Sequence, residues 1–430
     1  MVAGKLLDLW ACAMKATWFN PIQAFAYTLI NAFKIDRIMK IVPNKVYRIG
    51  AAFATTLLSA ILGLASVTAH AATTYTYRIP IEGLSVTSSA TAPTLAFNSI
   101  SGGDAVLALK SDGTLWATGR NVGQFGDGTT SSRSTFEQVL TGVSSFSSDN
   151  YHTLAVQSDG SLWATGADDY GQLGDGTTTS RTTFEQVLSN VSRAYSSSGF
   201  SLALKSDGTL WTTGYNASGE LGDGTTTNHS TFEQVLTGVS SAAAGYYHTL
   251  ALKSDGTLWA TGDNTYGELG DGTTTNRSTF EQVLSGVSAV SSVGLHTVAL
   301  KTDGTLWVTG DNGNGQLGDG TSTNHHSFEQ VLTGVSSVSA GYTYTLALKS
   351  DGTLWATGNN SYGQLGDGTT NQQYTFEEVL TNVAAAWATE YSSFALKKDG
   401  TLWATGYNAY GQLGLGTTTN VTTWTQVPSF

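Results

Sequence analysis

Short runs in which apolar and polar residues alternate recur along most of the chain, and glycine-rich turns separate them. One representative unit contains Val239–Ala244 (VSSAAA), His248–Lys253 (HTLALK), Leu258–Gly262 (LWATG) and residues 279–284 (TFEQVL). Alternation with a period of two is typical of a strand with one buried face. The Asp-Gly turn between the second and third runs is a strong hairpin signal. The unit therefore predicts four antiparallel strands, with the small residues of the first strand innermost and the polar fourth strand at the outer edge.

This unit recurs with an almost constant length. A Leu-Trp dipeptide occurs seven times, and the spacing between successive tryptophans is 47 residues once and 48 residues five times. A strict period of this kind marks a repeat fold, in which neighbouring units bury each other's apolar faces. Seven four-stranded units predict an all-β fold over residues 95–430, a seven-bladed β-propeller of four-stranded antiparallel blades. We expect one structural tryptophan per blade to pack between neighbouring blades: Trp116, Trp163, Trp211, Trp259, Trp307, Trp355 and Trp403.

The residues before the repeats have a different character. Residues 49–67 form an uncharged apolar run that follows several basic residues, and Ala69-His70-Ala71 is a pattern that signal peptidase accepts. We therefore predict a signal peptide over residues 39–71, with cleavage near Ala71. A retained transmembrane anchor is the alternative, because 19 apolar residues could just span a bilayer.

The remaining leader segments follow from this assignment. Residues 1–38 are either a leader extension or lie upstream of a true start at Met39, and residues 72–94 form a strand and a linker. The protein is then expected to be secreted, periplasmic or at the cell surface, without a membrane association once the signal peptide is removed.

Composition and charge narrow the classes of function. The chain has 50 glycines and 5 prolines, in keeping with frequent turns between strands, and its single cysteine, Cys12, lies in the leader. The cleaved chain would therefore have no disulfide and no thiol chemistry. Beyond residue 71 there are 13 basic and 30 acidic side chains, which give a net charge of −17. A charge of this sign argues against a nucleic-acid partner, since phosphate backbones are bound by basic side chains.

The repeated sequence HTLALKSDGTLWATG…NTYGELGDGT resembles the regulator of chromosome condensation repeat. The resemblance extends over all seven units, about 335 of the 430 residues. The resemblance implies a seven-bladed propeller. It leaves function open, because the family includes nuclear exchange factors, a plant ultraviolet photoreceptor and secreted bacterial proteins, among them a β-lactamase inhibitor. The export signal favours a secreted bacterial-type member. An exchange factor fits poorly, because no long insertion interrupts the units.

No arrangement of titratable residues predicts catalysis. An active site needs an asymmetric cluster with distinct roles, whereas the carboxylates of this chain repeat with the units. The GDGT aspartates lack the spacing of a calcium loop. We therefore expect no catalytic residue, no metal and no cofactor. Histidines recur at two positions of the repeated unit. One position begins second strands, and the other, which includes His229, His325 and the neighbouring His326, is expected in a solvated loop.

The positions that differ between units indicate a binding face. If the strands alternate in direction, the loops between first and second strands and between third and fourth strands share one face, and these loops vary in every unit. Tyrosine offers a large contact area at low entropy cost and is enriched at recognition surfaces. The predicted binding residues are Tyr151, His152, Tyr170, Phe200, Tyr246, Tyr247, His248, Tyr266, His296, Tyr342, Tyr344, Tyr362 and Tyr391. Tyr410 also lies in one of these loops.

The leading hypothesis is an exported, non-enzymatic protein-binding or scaffold propeller that acts as a monomer and binds a protein through this face. A glycan-binding lectin or a glycan-active enzyme is the alternative, with Asp168, Asp169 and Glu390 beside the aromatic rings. A structural envelope protein and a guanine-nucleotide exchange factor are less favoured.

Overall fold

The computed structural model describes residues 97–430, so the predicted segments 1–38, 39–71 and 72–94 lie outside the described residues. These residues form 28 strands in seven four-stranded antiparallel sheets, and each sheet consists of four strands that follow one another in the sequence. The predicted all-β, seven-bladed propeller is thereby confirmed. No helix within residues 97–430 has the length and apolar character needed to cross a membrane.

The strands of each blade run outwards from the centre of the ring in sequence order. Blade 1 contains β1 (Phe97–Gly102), β2 (Ala105–Lys110), β3 (Leu115–Gly119) and β4 (Arg133–Leu140). Blade 2 contains β5 (Val143–Ser148), β6 (His152–Gln157), β7 (Leu162–Gly166) and β8 (Arg181–Leu188). Blade 3 contains β9 (Val191–Ser197), β10 (Phe200–Lys205), β11 (Leu210–Gly214) and β12 (His229–Leu236). Blade 4 contains β13 (Val239–Ala244), β14 (His248–Lys253), β15 (Leu258–Gly262) and β16 (Arg277–Leu284).

Blade 5 contains β17 (Val287–Ser291), β18 (His296–Lys301), β19 (Leu306–Gly310) and β20 (His325–Leu332). Blade 6 contains β21 (Val335–Ala340), β22 (Tyr344–Lys349), β23 (Leu354–Gly358) and β24 (Gln373–Leu380). Blade 7 contains β25 (Val383–Ala388), β26 (Ser392–Lys397), β27 (Leu402–Gly406) and β28 (Val421–Gln426). The second and third strands of every blade are almost entirely buried, whereas the fourth strands are largely exposed, as their glutamates and glutamines require.

The long loop between the third and fourth strands of each blade docks on the next blade. In blade 3, the Gly224 amide donates to the Ser278 carbonyl of blade 4 at 2.8 Å, and Asp223 forms an isolated bridge with Thr279. Gly222 has a φ of +72°, and a Cβ atom there would lie 2.4 Å from the Phe280 ring. Only glycine combines this backbone conformation with so close an approach. The loop therefore fastens one blade to the next.

The same contact closes the ring without any exchange of strands. The Gly416 amide of blade 7 donates to the Ser134 carbonyl of blade 1 at 2.9 Å. The Thr118 hydroxyl of blade 1 donates to the Gly411 carbonyl of blade 7, also at 2.9 Å. Phe430 adds an aromatic contact, because its ring stacks on Phe136 of blade 1 with 4.3 Å between centroids. Blades 7 and 1 thus dock through the same loop contact as other neighbouring pairs, but Leu415 stands where the other blades have the bridging aspartate.

The GDGT aspartates stabilise these loops from within. Asp223 accepts a hydrogen bond from the Thr225 amide at 2.8 Å, and its second oxygen lies 2.8 Å from Nε2 of His229. Arg277 occupies the position of His229 in the next blade and binds Asp271 at 2.6 Å. His229 and His325 therefore begin outer strands and pair with aspartates, and the expectation of a solvated loop is wrong for them. Only the neighbouring His326 is exposed.

Each blade tryptophan lies at the half-buried position of its third strand. Trp259 packs against a core cluster that blades 3 and 4 form together. Its indole nitrogen donates to the Thr257 hydroxyl at 3.0 Å, and the Lys253 ammonium lies 4.0 Å from its ring centroid. A cation in this position over an aromatic face is weakly attractive. Trp259 thus joins inter-blade packing to a local polar contact.

One buried position of the long loop is a glutamine in five blades and a glutamate in the other two, Glu220 and Glu268. Gln316 donates from Nε2 to the Asp311 carboxylate at 2.7 Å. Glu268 stands in the same place in blade 4, where one oxygen accepts the Tyr266 amide at 2.8 Å and the other is buried without a partner. Burial, above all, raises the pKa of Glu268 to about 8 and that of Glu220 to about 7. At neutral pH Glu268 therefore favours the protonated form, which resembles a glutamine, whereas Glu220 is divided between the two forms.

We predict that Trp259→Ala lowers the free energy of unfolding by about 2–3 kcal/mol, less than the ~3–5 kcal/mol of a fully buried tryptophan, because the ring is half-buried. Thermal and denaturant unfolding measure this loss. Trp259→Phe, which keeps most of the packing, should lose clearly less. An unchanged stability for the alanine variant would contradict the packing role.

We predict that Glu268→Gln removes a pH-dependent destabilisation. Between the ordinary pKa of 4.5 and about 8, the folded state keeps a proton that the unfolded state releases, so stability falls as the pH rises. The effect amounts to at most a few kcal/mol, at about 1.4 kcal/mol per pKa unit. The variant should have a higher Tm than the parent at pH 9 and gain little at pH 4.5. Equal gains at both pH values would be inconsistent with the raised pKa.

Candidate functional site

The two sets of variable loops lie on one face of the ring, which we call the loop face. Nine tyrosines on this face touch one another in succession, with centroid distances of 4.5 to 6.3 Å and mostly edge-on or tilted rings. Such arrangements are the preferred geometries of aromatic pairs. The members of this tyrosine arc, in order of contact, are Tyr170, Tyr215, Tyr247, Tyr246, Tyr342, Tyr391, Tyr362, Tyr407 and Tyr410.

The arc crosses blade 5 because that blade has a glycine where its neighbours have tyrosines. The Tyr246 amide donates to the Gly294 carbonyl at 2.9 Å, and a Cβ atom on Gly294 would lie only 1.9 Å from the Tyr342 carbonyl oxygen. With no side chain between them, the rings of Tyr246 and Tyr342 meet at 5.4 Å. A single small residue therefore connects the two halves of the arc.

Most of the predicted tyrosines belong to this surface. Six of them are members of the arc, and Tyr151 and Tyr266 are exposed on the same face. Tyr215 and Tyr407 were missed by the sequence reasoning. Both directly follow a third strand, at a position that holds five residue types in the seven blades, and this variation could have revealed them.

Five predicted residues lie beneath the surface. They begin the second strands, where side chains point into the space between blades, and all are fully buried: His152, Phe200, His248, His296 and Tyr344. We therefore exclude them from the candidate site.

The buried histidines link neighbouring blades. Nε2 of His248 lies 3.0 Å from the Thr297 hydroxyl of blade 5. That hydroxyl donates to the Glu268 carbonyl at 2.7 Å, so it accepts the hydrogen bond from His248. Burial lowers the pKa of His248 and His296 to about 3, which keeps both rings neutral. These histidines are structural hydrogen-bond donors.

A central cavity of about 300 Å³ opens among the inner strands. Small serine and alanine side chains line its walls, and Tyr151, Tyr246 and Tyr342 stand at its rim. Glu390 of blade 7 also lines it and receives a hydrogen bond from Asn150 of blade 2. Burial raises the pKa of Glu390 to about 7, against the lowering effect of Asn150. This contact spans blade 1 and ties the ends of the ring together on the loop face.

A second cavity, of about 350 Å³, lies over blades 2 to 4. We call it the tyrosine cleft, and five rings form its walls: Tyr151, Tyr170, Tyr215, Tyr246 and Tyr247. Its other lining residues include Asp169, Ala167, Ser198 and Gly199. Burial and the neighbouring Tyr246 raise the pKa of Tyr247 to about 12, so its hydroxyl stays protonated at neutral pH. The cleft is thus an aromatic pocket with an acidic side chain.

The loop face is acidic. Among residues 97–430, its loops contain a single basic side chain, Arg120, which pairs with Asp104 at 3.5 Å. Partly or fully exposed carboxylates outside the GDGT motifs occur along the loops of blades 2, 4, 5 and 7: Asp149, Asp169, Asp263, Asp311 and Glu390. A face of this composition attracts positively charged groups.

One group of side chains away from the arc could geometrically hold a metal. Ligand atoms of Asp223, His229 and Glu233 lie within 4.8 Å of one another. In the next blade, Arg277 sits in the same way between Asp271 and Glu281, at 2.6 and 3.4 Å. The position therefore holds a nitrogen-bearing side chain between two carboxylates in both blades, and His229 in blade 3 stands where blade 4 has Arg277.

Two protein-family models match parts of the chain, and both describe the regulator of chromosome condensation (RCC1) repeat. One matches residues 239–268, 287–316 and 335–364, and the other matches residues 207–252, 303–348 and 399–430. A comparison of the sequence with curated proteins finds no match.

Solved structures share the fold at low sequence identity. Human WBSCR16 is 20% identical, with a TM-score of 0.64 over 69% of this chain and 85% of its own. Prp20 of Saccharomyces cerevisiae is 19% identical, with a TM-score of 0.66 over 75% of this chain and 88% of its own. A structure of Kap60 bound to yeast RCC1 (Prp20) gives a TM-score of 0.66 at 18% identity over 75% of this chain and 85% of that one.

These similarities agree with the propeller fold and with the repeats of the sequence. The chain contains regulator of chromosome condensation (RCC1) repeats, which the two family models match within residues 207–268, 287–364 and 399–430.

Proposed function

We propose that the chain is a non-enzymatic protein-binding propeller whose partner contacts the tyrosine arc. The observation that carries this proposal is the continuity of the arc, nine touching tyrosines on one face of a rigid ring. Buried aromatic side chains dominate the energy of protein interfaces, and tyrosine is among the residues enriched there. The docked loops fix the backbone beneath the rings, so little conformational entropy is lost on binding.

The structural neighbours are compatible with a protein partner. Yeast Prp20 has been crystallised with Kap60, and its binding to Gsp1p and histones is described. Those partners belong to Prp20. What they support here is that a propeller of this family can serve as a platform for other proteins.

We also propose that the protein acts outside the cytoplasm. The apolar run at residues 49–67 and the Ala-His-Ala pattern before residue 72 support removal of a signal peptide.

A glycan ligand is the second candidate. The aromatic walls of the tyrosine cleft could stack on sugar rings. Asp169 could accept hydrogen bonds from sugar hydroxyl groups, and Gln172 could donate to them. A glycan array separates the two candidates. Selective binding of one glycan that depends on Tyr170 would favour the lectin over the protein-binding propeller.

Affinity capture from extracellular and envelope fractions of the native organism tests the protein-binding role. The bait begins at Ala72, and the arc variant carries Tyr246→Ser, Tyr342→Ser and Tyr391→Thr. Serine and threonine occur at these loop positions in other blades, as Ser198 and Thr343. We expect a protein that the parent retains and the arc variant loses.

Tyr374→Ser is the matched control for this capture. Tyr374 is exposed near the start of the outer strand of blade 6, is not a member of the tyrosine arc and does not line the tyrosine cleft, and other blades have serine at its position. The control should retain the same protein as the parent. If parent and arc variant capture identical sets, the arc is not the binding surface.

Amino-terminal sequencing of the chain from the native organism tests export. We expect extracellular or envelope-associated protein that begins at or near Ala72. A mature chain that retains residues 49–67 and fractionates with membranes would indicate an anchor instead.

A further inference from the structure

We propose that the tyrosine cleft receives an arginine side chain of the protein partner. This inference rests on the proposed function and specifies the chemistry of the contact. Five tyrosine rings and the Asp169 carboxylate surround a space of about 350 Å³, on a face with a single basic side chain of its own.

The aromatic walls suit a cationic guest. A guanidinium group is attracted to the face of an aromatic ring, and the attraction grows when the contact excludes water. Tyr170 and Tyr215 meet edge to face at 5.0 Å, and Tyr246 and Tyr247 do so at 4.5 Å, so at least one face of each ring is left uncovered by its partner in the pair. An uncharged guest would gain from these rings but not from the carboxylate beside them.

Asp169 supplies the opposite charge. It is exposed, it lines the cleft, and it forms no salt bridge with any of residues 97–430. A carboxylate and a guanidinium group can pair through two parallel hydrogen bonds, which an ammonium group cannot reproduce. The combination of stacking rings and a free carboxylate therefore favours arginine over lysine.

The chain itself shows this combination at another junction between blades. Arg120 of blade 1 lies over the Tyr410 ring of blade 7, 5.6 Å from its centroid, and pairs with Asp104 at 3.5 Å. At the junction of blades 2 and 3, Tyr170 occupies the position of Tyr410 and Tyr215 occupies the position of Arg120. Where the junction of blades 7 and 1 has its own arginine over a tyrosine, the cleft has a second tyrosine, and no basic side chain of residues 97–430 lines it.

The repeat provides matched variants. Asp169→Ser removes the charge and installs the residue that blade 6 has at this position, Ser361. Tyr170→Ser removes one wall and installs the residue of blade 3, Ser218. Tyr266→Ser is the control, because Tyr266 occupies the same position in blade 4, is exposed on the same face and does not line the cleft.

The test measures equilibrium binding of the purified protein to a peptide with three arginines separated by glycine and serine. Companion peptides carry lysine, citrulline or glutamate in place of arginine. We expect the arginine peptide to bind at least tenfold more tightly than the citrulline peptide, which has the same shape without the charge, and more tightly than the lysine peptide. Asp169→Ser and Tyr170→Ser should each weaken binding about five- to tenfold, whereas Tyr266→Ser should bind like the parent. All variants should keep the parent's Tm.

The inference is overturned if citrulline or lysine peptides bind as well as the arginine peptide, if the arginine peptide fails to bind, or if both cleft variants bind like the parent. These outcomes are distinct from failure of the proposed function. If the arc variant still loses a captured protein while the arginine peptide does not bind, the arc is a protein-binding surface and the cleft does not take arginine.

Discussion

The docking of each long loop on the next blade is the contact on which the rest of the structure depends. It requires a glycine at a positive φ, since the Phe280 ring lies where a side chain on Gly222 would be. The contact is repeated around the ring, and Gly416 and Ser134 form it at the closure. Because no strand is exchanged between blades, these loops and the apolar packing between sheets hold the circle together. A propeller built in this way can close with any blade last in the sequence.

The same loops determine where function can reside. Their second half docks and is nearly invariant, whereas their first half projects from the loop face and differs in every blade. Tyr170, Tyr215 and Tyr362 occupy this projecting half, on a backbone that the docking contact has already fixed. Stability and recognition are therefore assigned to separate residues of one loop. This separation explains how tyrosines can change from blade to blade while the fold remains the same.

The period of the tryptophans predicted the number of blades. The polarity of the runs predicted the order of the strands, and the loops that vary between units predicted the face that carries the tyrosines. Side-chain direction at the start of a strand could not be read in the same way. His248 and Tyr344 follow loop residues directly, yet they point between blades and are fully buried. His229 was expected in solvent. Its pairing with Asp223 could not be predicted, because that contact depends on how the loop folds back. The continuity of the arc also escaped prediction, because it depends on the absence of a side chain at Gly294 rather than on any residue present.

We propose the tyrosine cleft as a binding pocket at one end of the tyrosine arc. The most direct measurement is a spectrum of the protein with isotopically labelled tyrosine rings, recorded as the arginine peptide is added. The account predicts shifts at Tyr151, Tyr170, Tyr215, Tyr246 and Tyr247, which line the cleft, and none at Tyr374 on the outer strand of blade 6. Shifts spread evenly over all tyrosines, or confined to residues outside the cleft, would contradict it.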